Sequence, residues 1–338
     1  MSRLKFPFAV LAFAGLVALV VGFASTHAAP TTQSSMAVGS GAAASLQNDF
    51  VRVYRQVSPS VVQISTNEGL GSGIIFDTKG DIVTNAHVVG SSTSFTVTTS
   101  QGRQLKGTLV GTFEADDLAV IKVPSSGLRP ATFADSSKLR VGDIAIAIGN
   151  PLGLSSSVTE GIVSALLRTP SEGNGVTLPN AIQTSAPINP GNSGGALVDI
   201  QGRVMGIPTL AASDPQLGGA AVGIGFAIPS NVVRDIASQI VQHGKVVSSG
   251  RAYLGISIGD TGNGVYVGRV AAGSPAAEAG IVTGDVIVAV NGTSTPSSGE
   301  LGSVLAALKP GKTVKVKLVH QSGASATVDV TLGEYPGT

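Results

Sequence analysis

The sequence predicts a mainly β protein made of two successive units, an all-β barrel or sandwich followed by a smaller α+β unit. Glycine accounts for 45 of the 338 residues, about twice its usual share, which suits many tight turns. Short β-like runs separated by turn residues follow one another from Leu46 to Ile240, as in barrels and sandwiches. A second series of strand-like runs begins after the predicted linker Lys245–Arg251.

The N-terminal residues 1–28 have the three-part pattern of a secretory signal. Arg3 and Lys5 precede the apolar run Phe8–Ala24, and small residues follow it up to Ala28. This pattern predicts a signal peptide cut after Ala28. A membrane anchor is the alternative, because the apolar run is close to the length that spans a bilayer. Both interpretations predict an extracytoplasmic protein, secreted or periplasmic, or anchored to the cell membrane.

Residues 29–45, APTTQSSMAVGSGAAAS, are small and polar and predict a flexible linker. The first folded unit is expected over 46–244. Its β-like runs include Val61–Thr66, Gly73–Asp77, Ile82–Thr84, Ser94–Thr99, Leu118–Val123, Ile144–Ile148, Ala196–Val198 and Val204–Ile207. At its end, the apolar positions of Asn231–His243 follow a helical rhythm, and Gly244 is expected to end that helix.

The second unit is expected over 252–335. Its predicted strands are Leu254–Ile258, Gly264–Val270, Asp285–Val290, Thr313–His320 and Ala326–Leu332. Two helices are predicted between them, around Pro275–Ala279 and Gly299–Leu308.

The composition argues against several classes of function. The chain has 21 basic and 20 acidic residues, a net charge of +1, and no basic run follows the N-terminal segment. A nucleic-acid surface needs clustered cations, so we expect no nucleic acid as partner. Because cysteine is absent, neither a disulfide nor a thiolate metal site can form. We expect no metal and no cofactor.

A serine stands among glycines in Ile188–Leu197, INPGNSGGAL. Taken alone, this stretch indicates a turn more readily than a nucleophile. Of the four histidines, only His87 lies in the same unit as Ser193 and in an apolar context; a lone core histidine is the alternative. Asp117 stands directly before an apolar run, where a carboxylate drawn inside needs a donor such as an imidazole N–H. A solvated turn is the alternative there.

These three residue types together suit acyl transfer. A serine hydroxyl becomes nucleophilic when an imidazole takes its proton, and a carboxylate fixes the tautomer of that imidazole. Gly191 lets the backbone turn, so that its N–H and that of Ser193 converge where an oxyanion forms. Gly194 and Gly195 are expected to keep bulk away from the substrate carbonyl.

The chain order separates two candidate folds. The residues from Gly191 to Gly195 also fit the GxSxG elbow of α/β-hydrolases, which would indicate a lipase or esterase. In that fold the acid and the histidine follow the serine. Here His87 and Asp117 precede Ser193, as in chymotrypsin, and strands do not alternate with long helices. An esterase elbow is therefore disfavoured.

Four blocks in a fixed order resemble a known family. They are TNAHVV (84–89), DDLAVIKV (116–123), GDIAIAIGNPLG (142–153) and INPGNSGGAL (188–197). In order and approximate spacing they resemble the HtrA/Deg family of trypsin-fold serine proteases, and the resemblance spans residues 46–335. It implies a trypsin/chymotrypsin-like double β-barrel protease.

The resemblance also assigns roles to the candidate residues. It implies His87 as general base, Asp117 as its orienting carboxylate and Ser193 as nucleophile. The backbone N–H groups of Gly191 and Ser193 would form the oxyanion hole. Ser185 stands where the family commonly has Asp, a departure that leaves these three residues intact.

The second unit resembles a PDZ domain, which the family carries after its protease. The run from Tyr253 through Leu254 and Gly255 to Ile256 matches the loop that binds a terminal carboxylate. Such a domain adds a peptide as an extra strand and captures its carboxylate with backbone N–H groups. We expect this loop to bind peptide C-termini; a small β unit without a ligand is the alternative.

A specificity pocket can be predicted by position. In a trypsin-like fold, the pocket for the residue before the cut is lined by the segment before the serine and by a later strand. These are Ala186–Asn189 and Gly225–Ile228, and neither contains Asp or Glu. We predict a preference for small or medium aliphatic side chains, not for Lys or Arg. The predicted pocket residues are Ile188, Asn189, Phe226, Ala227 and Ile228.

The resemblance implies an exported serine endopeptidase that acts on unfolded or misfolded proteins in quality control. It further implies a homotrimer whose activity is modulated when the PDZ unit engages a peptide. A second class is a non-catalytic PDZ-containing chaperone or scaffold that binds unfolded chains. The complete trio of Ser, His and Asp favours the enzyme.

Overall fold

The computed structural model describes residues 41–67, 69–150, 157–170, 178–189, 191–214 and 219–337. The predicted signal or anchor segment and linker residues 29–40 lie outside these ranges. Within them, no helix is both long enough and apolar enough to cross a membrane.

Six antiparallel strands close into a first barrel. They are β1 Val61–Ser65, β2 Leu70–Ile75, β3 Asp81–Thr84, β4 Ser94–Thr98, β5 Gln104–Phe113 and β6 Leu118–Lys122, in the spatial order β1-β2-β3-β6-β5-β4. Because side chains alternate along a strand, Val62 and Ile64 of β1 face the barrel interior. There they pack with Ile82, Val97 and Ile121.

A second closed barrel follows. Its strands are β7 Ile144–Gly149, β8 Ser157–Arg168, β9 Ala181–Thr184, β10 Ala196–Val198, β11 Val204–Asp214 and β12 Gly219–Pro229, in the order β10-β11-β12-β9-β8-β7. Its interior holds Ala147, Ile182, Leu197 and Met205. The two barrels confirm the mainly β fold.

A further apolar core joins the two barrels. Val61 and Val83 of the first barrel share one cluster of buried side chains with Ile148 and Ala196 of the second. The helix α3, Ser230–His243, closes this core and ends at Gly244 in the left-handed conformation, φ 72°, as predicted. The cluster brings the ends of β2 and β3 close to the second barrel.

The C-terminal unit has its own sheet and core. Its sheet runs β14 Ile256–Asp260, β15 Val265–Val270, β16 Val286–Val290, β18 Thr313–Val319 and β19 Ser325–Thr331, with β17 Thr293–Ser294 beside β16. A separate pair consists of β13 Ala252–Tyr253 and β20 Gly333–Glu334. The helices α4 Pro275–Glu278 and α5 Ser298–Ala306 complete it. Buried Val267, Leu301 and Val316 belong to its core.

The N-terminal part of the first unit differs from the expectation. A helix, α1 Ala42–Val57, begins inside the predicted linker 29–45 and occupies the start of the expected β region. Val53 and Val57, one helical turn apart, are buried in the core that joins the barrels. This packing stabilises a helix where composition alone indicated a tether.

The predicted linker Lys245–Arg251 is hydrogen-bonded both to helix α3 and to strand β20. Val246 is buried, and Gln239 of α3 bonds the backbone of Val247 and Ser248. Gly250 donates its N–H to the Glu334 carboxylate at 2.7 Å. The connection is therefore an ordered part of the structure.

Candidate active site

His87 and Asp117 are brought together at the edge of the first barrel. His87 lies on the one-turn helix α2, Ala86–Val89, directly after β3. Its Nδ1 lies 2.8 Å from Oδ2 of Asp117, and its backbone N–H donates to Oδ1 at 2.9 Å. The ring is half exposed, 46%, whereas the carboxylate is 3% exposed. The buried acid thus meets the donor that the sequence predicted for it.

Asp117 has an unusual backbone conformation. Its φ of 50° and ψ of 45° lie in the left-handed region, which is uncommon for residues other than glycine. Its carbonyl accepts from the Ala86 N–H at 3.1 Å and from Nδ2 of Asn85 at 3.0 Å. Asn85 is fully buried. These two bonds hold the strained residue in place beside His87.

Thr209 of β11 connects this pair with Ser193. The Thr209 hydroxyl donates to Oδ2 of Asp117, and the Ser193 hydroxyl donates to the Thr209 carbonyl at 3.4 Å. The bond to Asp117 crosses the junction of the barrels, whereas the bond from Ser193 lies within the second barrel. Asp117 thus contacts both His87 and Thr209, and Ser193 contacts the same Thr209, which lies 92 positions after Asp117.

The backbone around Ser193 is fixed by a dense set of bonds. Asn192 donates its N–H to the Asn189 carbonyl at 3.1 Å, and Gly195 donates to the Asn192 carbonyl at 3.0 Å. The buried Asn192 side chain accepts from the Asn189 N–H and donates to the Pro187 carbonyl. Gly191 has a φ of 110°, a conformation that glycine adopts readily. Pro190, directly before it, lies outside the described residues.

The two glycines after the serine serve a purpose other than the one expected. A Cβ on Gly194, φ 79°, would lie 2.2 Å from the Ser72 carbonyl oxygen. One on Gly195 would lie 2.4 Å from the Ile148 carbonyl oxygen. These glycines therefore permit close backbone approach between the nucleophile loop and the barrels. The expectation that they make room for the substrate carbonyl is not what these contacts show.

The predicted pocket residues fall into two groups. Ile188 and Ala227 belong to the interior of the second barrel, and Ile188 fills the space in front of Gly225, where a Cβ would lie 2.3 Å from it. Phe226 and Ile228 belong to the core between the barrels, because neighbouring residues of a strand face opposite sides. The five residues therefore do not form one continuous lining. Asn189 contacts Asn192 instead, through its N–H.

The predicted carboxylate-binding loop lines an elongated cavity of about 340 Å³. Leu254, Gly255 and Ile256 stand on one side, and Leu301 and Leu305 of α5 on the other. Tyr253 also lines it and packs edge-to-face on Tyr335, with ring centroids 5.4 Å apart. The cavity therefore lies between strand β14 and helix α5, where a strand could be added.

Asp116, next to Asp117, has a perturbed carboxyl group. It is 3% exposed, and burial raises the pKa of its carboxyl above the ordinary value. Arg251 opposes this shift through an ion pair of 2.9 Å. The Arg251 guanidinium also lies 5.8 Å from the centre of the Tyr335 ring. The linker thus contacts the residue adjacent to the candidate acid.

Sequence reasoning missed Thr209 and the structural role of Asn85. Asn85 lies within the quoted block TNAHVV, two positions before His87, and a polar residue so close to the candidate base was a usable signal. In the C-terminal unit, Nδ1 of His320 lies 2.7 Å from the buried carboxylate of Asp285.

Comparison with known proteins agrees with this architecture. Residues 71–207 match the family described as Trypsin-like peptidase domain, and residues 252–332 match the PDZ domain family. The chain is 40% identical over 276 residues to the periplasmic pH-dependent serine endoprotease DegQ of Escherichia coli, an alignment covering 78% of this chain and 59% of DegQ. It is 42% identical over 320 residues to the serine protease Do-like HtrA of Lactococcus lactis, covering 85% and 77%.

Solved protease structures are also similar to this chain. The HtrA-type protease AlgW with decapeptide superposes with a TM-score of 0.60 at 29% identity, covering 85% of this chain and 99% of that one. The serine endoprotease from Yersinia pestis has a TM-score of 0.59 at 35% identity, covering 85% and 98%. With its double barrel, its PDZ unit and these relatives, the chain belongs to the HtrA/Deg family of trypsin-fold serine proteases.

Proposed function

We propose that this chain is an exported serine endopeptidase that cleaves unfolded or misfolded proteins through an acyl-enzyme. The single observation that carries the proposal is the bond between Nδ1 of His87 and Oδ2 of Asp117 at 2.8 Å, with Ser193 linked to the same carboxylate through Thr209. The names of relatives such as DegQ, a periplasmic endoprotease, support export and proteolysis.

In the proposed first step, Ser193 transfers its proton to His87. A proton on Nδ1 of His87, donated to the Asp117 carboxylate, leaves the Nε2 lone pair to act as base. The bond from Ser193 to the Thr209 carbonyl is long, 3.4 Å, and therefore weak. The hydroxyl proton can accordingly be redirected to Nε2 as the oxygen attacks the substrate carbonyl.

The remaining steps follow from the same groups. The tetrahedral oxyanion would accept hydrogen bonds from the N–H groups of Gly191 and Ser193, each such donor contributing about 2.7–4 kcal/mol to transition-state stabilisation. Protonated His87 gives its proton to the leaving amine, and the acyl group stays on Ser193. Water, deprotonated by His87, then attacks the ester and releases the second product.

The pocket and the PDZ cavity suggest the substrate. Ala186–Asn189 and Gly225–Ile228 contain no charged side chain, so we propose cleavage after small or medium aliphatic residues. The apolar side chains of Leu301 and Leu305 opposite the loop 253–256 support capture of peptide C-termini. Family membership supports a homotrimer, which sedimentation of the purified protein would test.

A Ser193→Ala variant tests the proposed enzyme against the chaperone alternative. Unfolded casein is incubated with the wild type and the variant, and the products are mapped by mass spectrometry. We expect cuts after Val, Ala, Ile or Leu with the wild type and none with the variant. Ser230→Ala is the matched control, since it removes a buried hydroxyl bonded to the Ala134 carbonyl on another part of the fold. Equal degradation by wild type and Ser193→Ala would refute the nucleophile assignment; absence of degradation by both would favour the chaperone.

A further inference from the structure

Ser72 of β2 lies between the two barrels and contacts the nucleophile loop through its hydroxyl and its backbone N–H. It is fully buried. Its hydroxyl donates to the Gly191 carbonyl at 2.5 Å and accepts from the Asn150 N–H at 2.8 Å. Its backbone N–H donates to the Ser193 carbonyl at 3.0 Å. One first-barrel residue thus holds two carbonyls of the loop that carries the candidate oxyanion-hole donors.

These contacts fix successive peptide planes. The plane between Gly191 and Asn192 is held at both ends, by Ser72 at its carbonyl and by the Asn189 carbonyl at its N–H. In the next plane, the Asn192 carbonyl accepts from Gly195. Because a peptide unit is planar and trans, the Ser193 N–H must point the opposite way from that carbonyl. The plane between Gly191 and Asn192 carries neither candidate donor itself, but it connects the plane that carries the Gly191 N–H with the plane that carries the Ser193 N–H. Its rotation would therefore change the backbone angles that set both donors.

We propose that Ser72 is a positioning residue for catalysis, whose hydroxyl fixes the peptide plane between Gly191 and Asn192. The two flanking planes, which carry the Gly191 and Ser193 N–H groups, are thereby held in the orientation of an oxyanion hole. This inference depends on the function proposed above. Ser72 does not contact the reacting atoms; it acts through the Gly191 carbonyl. Without its hydroxyl, that buried carbonyl has lost its donor, and rotation of the peptide toward another partner becomes favourable.

A hydroxyl suits this position better than any other small group. It can donate one hydrogen bond and accept others, and both uses are taken here, by Gly191 and Asn150. Ser72 itself is fully buried, so a larger side chain there would have to displace its neighbours. The Ser72 carbonyl is also occupied, accepting from the Thr84 hydroxyl at 2.6 Å, so the residue is anchored to the strand that leads to His87.

Ser72→Ala tests the proposal with a short peptide substrate and with a peptide boronic acid, which forms a tetrahedral adduct with the nucleophile. We expect kcat to fall about 10- to 100-fold, less than the 10²- to 10³-fold typical when a donor is removed outright, while KM changes less than about threefold. The affinity for the boronic acid should fall by the same factor as kcat/KM. Ser230→Ala, matched in burial and in its bond to a backbone carbonyl, should change neither quantity.

Ser72→Cys keeps the proposal testable if the alanine variant does not fold. A thiol is a weak donor of similar shape, so its kcat should lie between those of wild type and alanine. The pH dependence of kcat/KM should be unchanged in both variants, because the His87–Asp117 pair is intact. A kcat within threefold of wild type in folded Ser72→Ala, or in Ser72→Cys if only that variant folds, would overturn the inference. So would an equal loss in Ser230→Ala. An inactive wild type would instead refute the proposed function.

Discussion

The Thr209 hydroxyl donates to Oδ2 of Asp117, the same oxygen that lies 2.8 Å from Nδ1 of His87. The acid therefore receives a side-chain donor from the second barrel and its histidine partner from the first. A carboxylate that is 3% exposed needs several donors to remain charged. The contact between the two barrels is therefore part of the site, because it brings the Thr209 hydroxyl to Asp117.

Removal of the Thr209 hydroxyl should therefore weaken catalysis without abolishing it. We expect Thr209→Val to lower kcat/KM about 10- to 100-fold, since hydrogen bonds to charged groups are worth about 1.5–3 kcal/mol. The rate is measured with the peptide substrate used for Ser193→Ala. Thr295→Val is the control, because Thr295 is equally buried and bonds the Ile287 carbonyl in the C-terminal unit. Unchanged kcat/KM in Thr209→Val would show that this bond does not support the acid.

Comparison of Gly194 with Gly102 distinguishes two costs of replacing a glycine, the left-handed backbone conformation and the collision of an added Cβ. Both have a φ of 79°, but a Cβ on Gly194 would collide with the Ser72 carbonyl, whereas nothing lies within 4 Å of one on Gly102. Gly102→Ala should cost only the left-handed conformation, about 1–2 kcal/mol. Gly194→Ala should cost about 1–3 kcal/mol more through overpacking and should abolish peptide cleavage. Urea denaturation measures the free energy of unfolding of both variants. Equal losses in the two would contradict the close approach of Gly194 to the Ser72 carbonyl.

Some strands can be predicted from the sequence because several successive residues are buried and therefore mostly apolar. β1 and β6 have four buried residues each at successive positions, and their apolar runs are visible at once. β8 is different, because only Val163 of its 12 residues is fully buried. Pairing with β7 and β9 makes it a strand, and no local pattern reports that pairing. The sequence reading accordingly omitted it.

The residues of the candidate site likewise include some that the sequence predicts and others that it does not. His87, Asp117 and Ser193 could be selected because few residues of their type occur in suitable contexts. Thr209 could not, since threonine is common and its partner lies 92 positions away. No part of α1 was predicted: Ala42–Ser45 shares the composition of the preceding linker, and β-like runs were expected from Leu46. The spacing of buried Val53 and Val57 was the available helical signal.

The ion pair between Arg251 and Asp116 gives a prediction about stability. Its side chains are 19% and 4% exposed, so Arg251→Ala leaves a buried carboxylate without its cation. We expect a loss of about 3 kcal/mol near neutral pH. Lys315→Ala, which breaks the exposed pair with Asp329, 68% and 61% exposed, should cost at most about 1 kcal/mol. Similar losses in the two variants would argue against a buried pair.

The same variant should show a defined pH dependence. Burial raises the pKa of Asp116 above 3.8, and Arg251 opposes the rise, so its removal raises that pKa further. A carboxyl with a raised folded pKa loses stability as pH rises from its unfolded value through the folded one. The cost of Arg251→Ala should therefore be largest near neutral pH and smaller in acid. A cost that grows on acidification would contradict this assignment.

Glu334 should give the opposite pH dependence. The Gly250 N–H and the Ser248 hydroxyl donate to its carboxylate and lower the pKa of that group below 4.5. A carboxyl with a lowered folded pKa contributes stability that is fully present above the unfolded value and is lost as pH falls through the folded one. We expect Glu334→Gln to be less stable than wild type near neutral pH, with the difference in free energy of unfolding shrinking well below pH 4.5.

Ser248→Ala provides the matched control for Glu334, because it removes one donor and keeps the carboxylate. It should leave the Gly250 bond at 2.7 Å and let the pKa of Glu334 return part of the way to its ordinary value. The pH-dependent part of the stability should therefore shrink in Ser248→Ala and vanish in Glu334→Gln. Thermal unfolding followed across the acid range measures both. The difference in free energy of unfolding between wild type and Glu334→Gln could instead stay constant from neutral pH into acid. That result would show that the contact between the linker and β20 does not depend on the Glu334 charge.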